Sequence, residues 1–274
     1  MPELPEVETI VHALCPALIG KTILSADLLW PRTLAAPSSA SFKKNIRGQQ
    51  ISSITRRAKF LDFELSSSHL LFHLRMSGDL LVVLGGYQPA IHDRLILQLS
   101  EDTRLIFSDP RKFGRVWLVK DPAGIFRDLG PEPLSGDFTG HWLFYALHAR
   151  HRQLKPLLLD QTFLSGLGNI YTDEALHLAK LHPLSLSDSI DRKQAERLCQ
   201  AIREVLEEGI RRNGASIDWV YRGGDFQNHF RVYGRDRQAC PVCGTKIERI
   251  TIGQRGTHFC PHCQMRAKTK YLVK

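Results

Sequence analysis

Four of the six cysteines fall into two Cys-x-x-Cys pairs, Cys240 with Cys243 and Cys260 with Cys263, and sixteen residues separate the pairs. Two tight turns at that spacing each present a pair of sulfurs to one tetrahedral ion, which is the donor set of a four-thiolate zinc ribbon. Four thiolates leave no open coordination position, so one Zn2+ held there is structural. His258 and His262 are competing ligands by residue type, although His262 lies inside the second Cys-x-x-Cys turn, where its ring faces solvent or phosphate. Cys15 and Cys199 stand alone in helix-like stretches and read as small core residues, so the cysteine arithmetic is that of a metal site and not of a disulfide framework.

A second chemical signal is the opening MPELPEVET. Proline directly after an initiator Met becomes the new terminus once Met is removed, and a free α-amino group has a pKa of roughly 7.7–8.0, so a useful fraction is neutral and nucleophilic. A secondary amine that attacks a sugar C1′ can expel the base and form an iminium, the electron sink of a lysine Schiff base. Glu3 stands beside Pro2 and can shuttle protons; taken alone, the two residues read more simply as the entry to a helix. A third signal is Arg255. KIERITIGQRGTHF, between the cysteine pairs, reads as a β-hairpin with a Gly-Gln-Arg-Gly turn and Arg255 at its tip. A bare guanidinium there suits bidentate phosphate contact, as it would also suit an ordinary solvated turn.

The elements that must carry these groups follow from periodicity. Val7, Ile10, Val11, Leu14 and Leu18 recur at helical spacing between Leu4 and Ile19, which predicts an N-terminal helix that Pro16 kinks or ends early. Between Ile51 and Val119 the short runs KFLDFEL, HLLFHL, LLVVL, RLILQL, RLIF and RVWLV, broken by turn formers, predict an antiparallel sandwich or barrel. Composition then shifts to Pro, Gly and Asp around 121–140, which marks a domain boundary. Beyond it Ala195, Leu198, Ile202, Val205, Leu206 and Ile210 make an amphipathic helix over 191–212, so the second domain is helical. The segment from Val232 has too few large apolar residues for its own core and needs the metal. The expected division is 1–130, a linker at 131–145, a helical domain at 146–231, a zinc ribbon at 232–267 and a basic tail at 268–274.

Charge narrows the partner. The net charge of +9 is not spread evenly: residues 1–210 hold 24 Lys/Arg against 24 Asp/Glu, whereas 211–274 hold 13 against 4. A one-sided basic region points to a polyanion, most simply nucleic acid, with a merely solvated tail as the alternative. No run approaches the roughly 18 apolar residues of a membrane span, and Glu3, Glu6 and Glu8 stand where a signal peptide carries positive charge, so a cytoplasmic location is expected. No internal repeat or low-complexity tract is present.

Over essentially its whole length the sequence resembles the bacterial formamidopyrimidine-DNA glycosylases. The likeness is carried by MPELPEVET, RRAKF (56–60), HLRMSG (73–78), HDRLILQL (92–99), SDPRKFG (108–114), LGPEPLS (129–135), LKPLLLD (154–160), GLGNIYTDEAL (166–176), FRVYGR (230–235) and QRGTHFCPHCQ. The resemblance implies an α+β chain: an N-terminal antiparallel β-sandwich with an N-terminal helix, then a helix-two-turns-helix domain ending in a β-hairpin zinc ribbon. It implies a monomer acting on double-stranded DNA that contains oxidised purines or abasic sites. It makes Pro2 the nucleophile, Glu3 the proton donor and acceptor, and Glu6 the carboxylate that orients this terminus. Lys59 becomes a catalytic lysine on phosphate, with Arg255 beside it in the catalytic set and on DNA. Met76, Arg111 and Phe113 become the wedge that fills the vacated stack and probes the opposite base; by residue type alone Met76 and Phe113 read as core. His92, Lys155 and Asn169 become DNA contacts, Asn169 at a helix N-terminus whose amides face phosphate. Tyr171 and Glu174 fall near the damaged-base pocket, and 215–230 falls where the family has a mobile base-capping loop. The rivals are an endonuclease-VIII-like enzyme for oxidised pyrimidines, whose N-terminus usually departs from ELPEVET, and a non-catalytic zinc-ribbon DNA-binding protein. Arg75 replaces the Gly of some relatives beside Met76, which affects the geometry of that loop.

Overall fold

The structure is a computed structural model in which residues 2–216 and 223–266 are described. The chain divides into two compact units, Met1–Asp128 with Arg212–Asp225, and Leu129–Arg211 with Phe226–Lys274.

In the first unit, helix α1 (Leu4–Leu18) buries Leu4, Val7, Ile10, Val11, Leu14 and Leu18 on one face, as the spacing predicts. Pro16 does not end it early: the helix runs on to Leu18 with the proline exposed in its last turn. Strands β1 (Ile23–Leu28), β6 (Asp79–Leu84), β7 (Asp93–Leu99) and β8 (Thr103–Ser108) form an antiparallel sheet in the order β1-β7-β8-β6. Strands β2 (Leu34–Ala36), β3 (Ile51–Arg57), β4 (Phe60–Leu65), β5 (His69–His73) and β9 (Arg115–Val119) form a second sheet in the order β2-β9-β5-β4-β3, antiparallel except for the β2–β9 pair. The apolar inner faces share one core with α1 and with Phe42 and Ile46 of α2 (Ser39–Ile46). Phe63, Phe72 and Phe107 run across that core edge to face, with ring centroids 5.3 and 5.6 Å apart. All three are buried, so truncating Phe72 to Ala costs about 3–5 kcal/mol. A short helix α3 (Ala123–Phe126) follows β9. The six apolar runs are β4 to β9; β1, β2 and α2 were not expected, because residues 23–46 show neither clean alternation nor a helical stripe.

The second unit holds α4 (Gly140–His148), α5 (Leu154–Leu158), α6 (Asn169–Leu178) and α7 (Arg192–Arg211). Helix α4 crosses α7 so closely that a Cβ on Gly140 would stand 2.9 Å from Glu196 Cα. The expected linker at 131–145 is instead partly core, since Phe138 and Leu143 are fully buried. Residues 212–225 likewise cluster with the first unit and not with the helical domain to which the sequence boundary assigned them. Strands β10 (Glu248–Ile252) and β11 (Arg255–Phe259) form the hairpin. Its turn is the two residues Gly253 and Gln254, at φ of 54° and 61°, the left-handed pair a two-residue hairpin turn requires. Arg255 is therefore the first strand residue after the turn and not its tip. Among the described residues no helix is long and apolar enough to cross a membrane.

Candidate active site and zinc centre

The first unit fixes the N-terminus through buried carboxylates. Glu3, at 2% exposure, is the N-cap of α1, and its N–H donates to Glu6 Oε2 at 2.8 Å. The other Glu6 oxygen, Oε1, accepts the Ala215 N–H at 2.8 Å. One carboxylate thus ties the segment behind Pro2 to the chain at 214–216. A Cβ on Gly214 would lie 2.8 Å from Glu6 Oε1, and the residue sits at φ +75°, so glycine is required twice over. Pro2 itself is buried.

Lys59 sits in the turn between β3 and β4, after Ala58 at φ 54°, and is 4% exposed. Arg56 anchors that turn to α1: its Nε donates to Glu8 Oε2 at 2.6 Å and its Nη1 to the Ala58 carbonyl at 3.2 Å. The same helix therefore carries Pro2 and Glu3 at one end and holds the Lys59 turn through Glu8. His73 completes this corner. Burial, then the positive charges of Arg75 and Lys59, push its pKa down to about 3, so the ring is neutral and its Nδ1 accepts the Arg75 N–H at 3.1 Å. That bond helps hold Arg75 at φ 55°, directly before Met76.

Met76 is half-buried, whereas Arg111 and His92 are exposed and Phe113 is 50% exposed, so Phe113 is not the core residue its type suggests. The Arg111 guanidinium lies 5.0 Å from the Phe113 ring centroid. Ser77, Arg111 and Gly114 all donate to the buried carboxylate of Asp109. A Cβ on Gly114 would meet the Phe107 ring at Cζ, 2.3 Å away, and one on Gly78 the Leu74 carbonyl oxygen at 2.6 Å, so neither position has room for a side chain.

In the second unit a buried polar cluster underlies the hairpin. Lys155 and Asp173 are fully buried and meet at 2.6 Å, and Lys155 Nζ also donates to the Gly256 carbonyl at 3.0 Å. Asn169, at the start of α6, donates to the same carbonyl at 3.0 Å, while Asp173 Oδ2 accepts the His258 N–H at 2.9 Å. The exposed Arg255 precedes Gly256 and so leaves from a fixed point. Tyr171 is fully buried and stacks on Phe226 at 5.1 Å and 3°. Glu174, 1% exposed, accepts the N–H groups of Arg231, Val232 and Tyr233 at 2.8–2.9 Å, and burial raises its pKa against the pull of those three donors. Lys155, read from the resemblance as a DNA contact, and Tyr171 and Glu174, read as lying near the damaged-base pocket, are thus buried side chains with protein partners. Of the 215–230 loop, residues 217–222 lie outside the described residues.

The four cysteine sulfurs lie within 4.8 Å of one another, with Cys240 to Cys263 at 3.9 Å and Cys243 to Cys260 at 3.5 Å. A tetrahedron with Zn–S bonds of about 2.3 Å has edges of about 3.8 Å, so the residues fit one Zn2+. His258 is turned away toward Asp173, at 3.4 Å, and is not a ligand. His177 Nε2 is 3.4 Å from Cys240 Sγ. Burial first, then Arg231 and Arg235, hold its pKa down to about 4, and a neutral ring at that distance suits an N–H···S bond that orients the ligand. Gln264 joins the second knuckle to the helical domain, accepting the Cys260 N–H at 2.9 Å and donating to the Leu181 carbonyl at 2.8 Å.

The chain matches the sequence profile of the formamidopyrimidine-DNA glycosylase N-terminal domain over residues 1–116, that of the glycosylase H2TH domain over 129–220, and the zinc finger found in FPG and IleRS over 237–266. It is 42% identical to a formamidopyrimidine-DNA glycosylase of Pelotomaculum thermopropionicum, covering 96% of this chain and 99% of the relative. The chain belongs to the formamidopyrimidine-DNA glycosylase family. A second glycosylase, of Chloroflexus aurantiacus, is 46% identical over 97% of this chain and 98% of its own. MutM in complex with DNA containing carbocyclic 8-oxo-G superposes with a TM-score of 0.91 at 37% identity, covering 97% of this chain and all of that one. The Lactococcus lactis glycosylase bound to DNA containing an abasic site superposes at 0.90 and 36% identity, covering 96% and 100%.

Within this glycosylase framework the first unit gathers Pro2, Glu3, Glu6, Lys59, Met76, His92, Arg111 and Phe113, and the second holds Lys155, Asn169, Tyr171, Glu174, Arg255 and the four cysteines. Sequence reasoning missed the supports: Glu8 with Arg56, His73, Asp109 with Ser77, Asp173 and His177. Asp109 carried a usable signal, since an Asp two residues before Arg111 in DPRKFG is a turn-forming type that accepts backbone N–H groups. His177 carried none.

Proposed function

We propose that this chain excises oxidised purines from duplex DNA and then cleaves the resulting abasic site. The single observation that carries the reading is the full-length match, in sequence and structure, to glycosylases solved on 8-oxo-G, Fapy-dG and abasic-site DNA. Removal of Met1 frees the Pro2 nitrogen. That nitrogen attacks C1′ of an everted nucleotide, the bond from C1′ to the base breaks, and the base leaves with a proton. Glu3 supplies and takes protons as the sugar ring opens. The resulting iminium acidifies the C2′ proton, β- then δ-elimination break the two flanking C–O bonds, and water hydrolyses the remaining iminium to free the Pro2 nitrogen. Glu6 orients the terminus, as its bonds to the Glu3 and Ala215 amides suit it to do.

Lys59, Arg255, His92 and Asn169 meet the DNA backbone, and Lys59 stabilises charge beside the lesion. Met76, Arg111 and Phe113 enter the stack, where the half exposure of Phe113 supports a wedge role. Lys155, Tyr171 and Glu174 act by holding the hairpin and the 226–233 segment in place. The zinc, when bound, supplies rigidity to the hairpin base and no chemistry.

Borohydride trapping on an 8-oxoguanine duplex tests the reading. The expected product is a covalent adduct whose mass localises to the N-terminal peptide that begins with Pro2. A preparation with a verified free Pro2 that binds the duplex and yields no adduct leaves only a DNA-binding protein. An adduct confined to oxidised-pyrimidine duplexes moves the chain to the endonuclease-VIII-like branch.

A further inference from the structure

Three loops that present exposed side chains converge on one buried carboxylate. Asp109 is fully buried and directly follows β8. Its Oδ1 accepts the Ser77 hydroxyl and, at 3.2 Å, the Arg111 N–H, and its Oδ2 accepts the Gly114 N–H at 2.7 Å. Its own N–H donates to the His92 carbonyl at 2.9 Å, and its carbonyl accepts Nε of the buried Arg94 at 2.8 Å. Arg94 in turn holds the carbonyls of Ile91 and Asp93 at 3.0 and 3.1 Å. The loops 75–78, 91–93 and 109–114 are therefore hydrogen-bonded through one residue. The exposed side chains they carry include Arg111, Phe113, His92 and the 85%-exposed Ile91, none of them held in a core.

We infer that Asp109 is a positioning residue that makes the Met76 loop and the Arg111–Phe113 loop enter DNA as one preassembled probe. The inference rests on the wedge reading of those three residues given above. Its physical basis is that bonds from backbone N–H groups to a buried carboxylate are charge-assisted, and that Arg111 already lies against the Phe113 ring at 5.0 Å. Asp109 touches no DNA; it fixes the point from which the Arg111 backbone leaves. Asn at 109 keeps the volume but presents an amide NH2 where one of the two accepting oxygens was, so one loop loses its acceptor. Ala at 77 removes one donor to Asp109 and the second acceptor of the Arg111 N–H, at 3.3 Å, and leaves every probe side chain in place.

The test uses the zinc-loaded full chain and the variants D109N, S77A, R111A and D109N/R111A. Two quantities are read: the ratio of single-turnover 8-oxoguanine excision opposite cytosine to that opposite adenine, and strand cleavage at a preformed abasic site. D109N is expected to compress the ratio toward one by roughly tenfold, and S77A by less, the scale set by losing a hydrogen bond to a charged group. Cleavage at the abasic site stays within about threefold of wild type for both, because a preformed site needs no interrogation of the opposite base. D109N adds nothing to R111A in the double variant, as groups acting through one another are not additive. A ratio that survives D109N and S77A while R111A collapses it overturns the inference and leaves the wedge reading standing. A parallel fall of ratio and abasic cleavage also overturns it, reducing Asp109 to a support of the fold. An unchanged ratio in R111A removes the wedge reading itself. Should D109N melt early, S77A alone decides.

Discussion

Lys155→Met should detach the zinc hairpin from the helical domain without touching a zinc ligand. Lys155 and Asp173 are both fully buried, their charges meet at 2.6 Å, and Lys155 Nζ reaches the Gly256 carbonyl at 3.0 Å. Removing one member of a buried ion pair leaves an uncompensated charge and costs about 3–5 kcal/mol. Here the lower end applies. Asp173 Oδ2 keeps the His258 N–H at 2.9 Å, and the Gly256 carbonyl keeps Asn169 Nδ2 at 3.0 Å. A loss of about 3 kcal/mol corresponds to roughly two decades in an equilibrium constant. Hydrogen exchange across β10 and β11, read by mass spectrometry on the zinc-loaded chain, should therefore quicken by up to about a hundredfold. The second variant, K155M/D173N, removes the stranded charge but keeps an oxygen for the His258 amide, and it should recover at least half of the protection. Exchange within threefold of wild type in K155M would refute the reasoning, as would a double variant as damaged as the single one.

Other outcomes follow from the same geometry. His73 is neutral in the folded chain, with a pKa near 3, whereas the unfolded chain protonates it near 6.5. Stability should thus fall with acid between those values by up to about 1.4 kcal/mol per pH unit; His73→Asn, which keeps an acceptor for the Arg75 N–H, should flatten that slope in denaturation curves taken between pH 6 and 4. Gly114→Ala should cost about 1–3 kcal/mol through its clash with Phe107, whereas Gly124→Ala, with nothing within 4 Å of the new Cβ, should leave the melting temperature unchanged. Arg255→Ala should weaken duplex binding for all sequences alike and lower the slope of log K against log salt by about one; an unchanged slope would take Arg255 off the phosphates. Zinc removal by a chelator should unfold the 232–264 region, whose small cluster consists of Val232, Cys240, Ile247 and Cys260, while the β-sandwich melt stays where it is.

What the sequence made legible was whatever rests on periodicity or fixed spacing. The α1 stripe, the runs that became β4 to β9, the α7 stripe and the two cysteine knuckles all depend on near neighbours in the chain, so one sequence suffices to read them. The resemblance then supplied Pro2, Glu3 and Lys59 as residues, but not their surroundings. What stayed hidden depends on contacts between distant segments. Strand β1 is short, and two exposed residues separate its buried Ile23 and Ala26, so its alternation is broken. The return of 212–225 to the first unit turns on Glu6, 209 residues away from Ala215 in sequence. The resemblance marked Lys155 as a DNA contact, but its buried ion pair with Asp173 depends on a residue eighteen positions away and could not be read from the sequence.

These hidden residues share a physical logic. A loop that must reach into DNA cannot be anchored by burying its own apolar side chains, because those are the groups it presents. It needs polar anchors below the surface, and a buried carboxylate is well suited, since its two oxygens accept several backbone N–H groups and so can join segments that form no regular ladder. Glu6 does this for the amides of Glu3 and Ala215, Asp109 for Arg111 and Gly114, Asp173 for His258, and Glu174 for Arg231, Val232 and Tyr233. In each case the acid lies within the protein, and in the loops held by Asp109, Asp173 and Glu174 basic or aromatic side chains stand beside the amides it accepts. The negative charges that hold these loops are thereby kept off the protein surface. Replacing these acids one at a time by their amides should therefore loosen individual loops while leaving the salt dependence of duplex binding nearly unchanged, whereas replacing the exposed arginines should do the reverse.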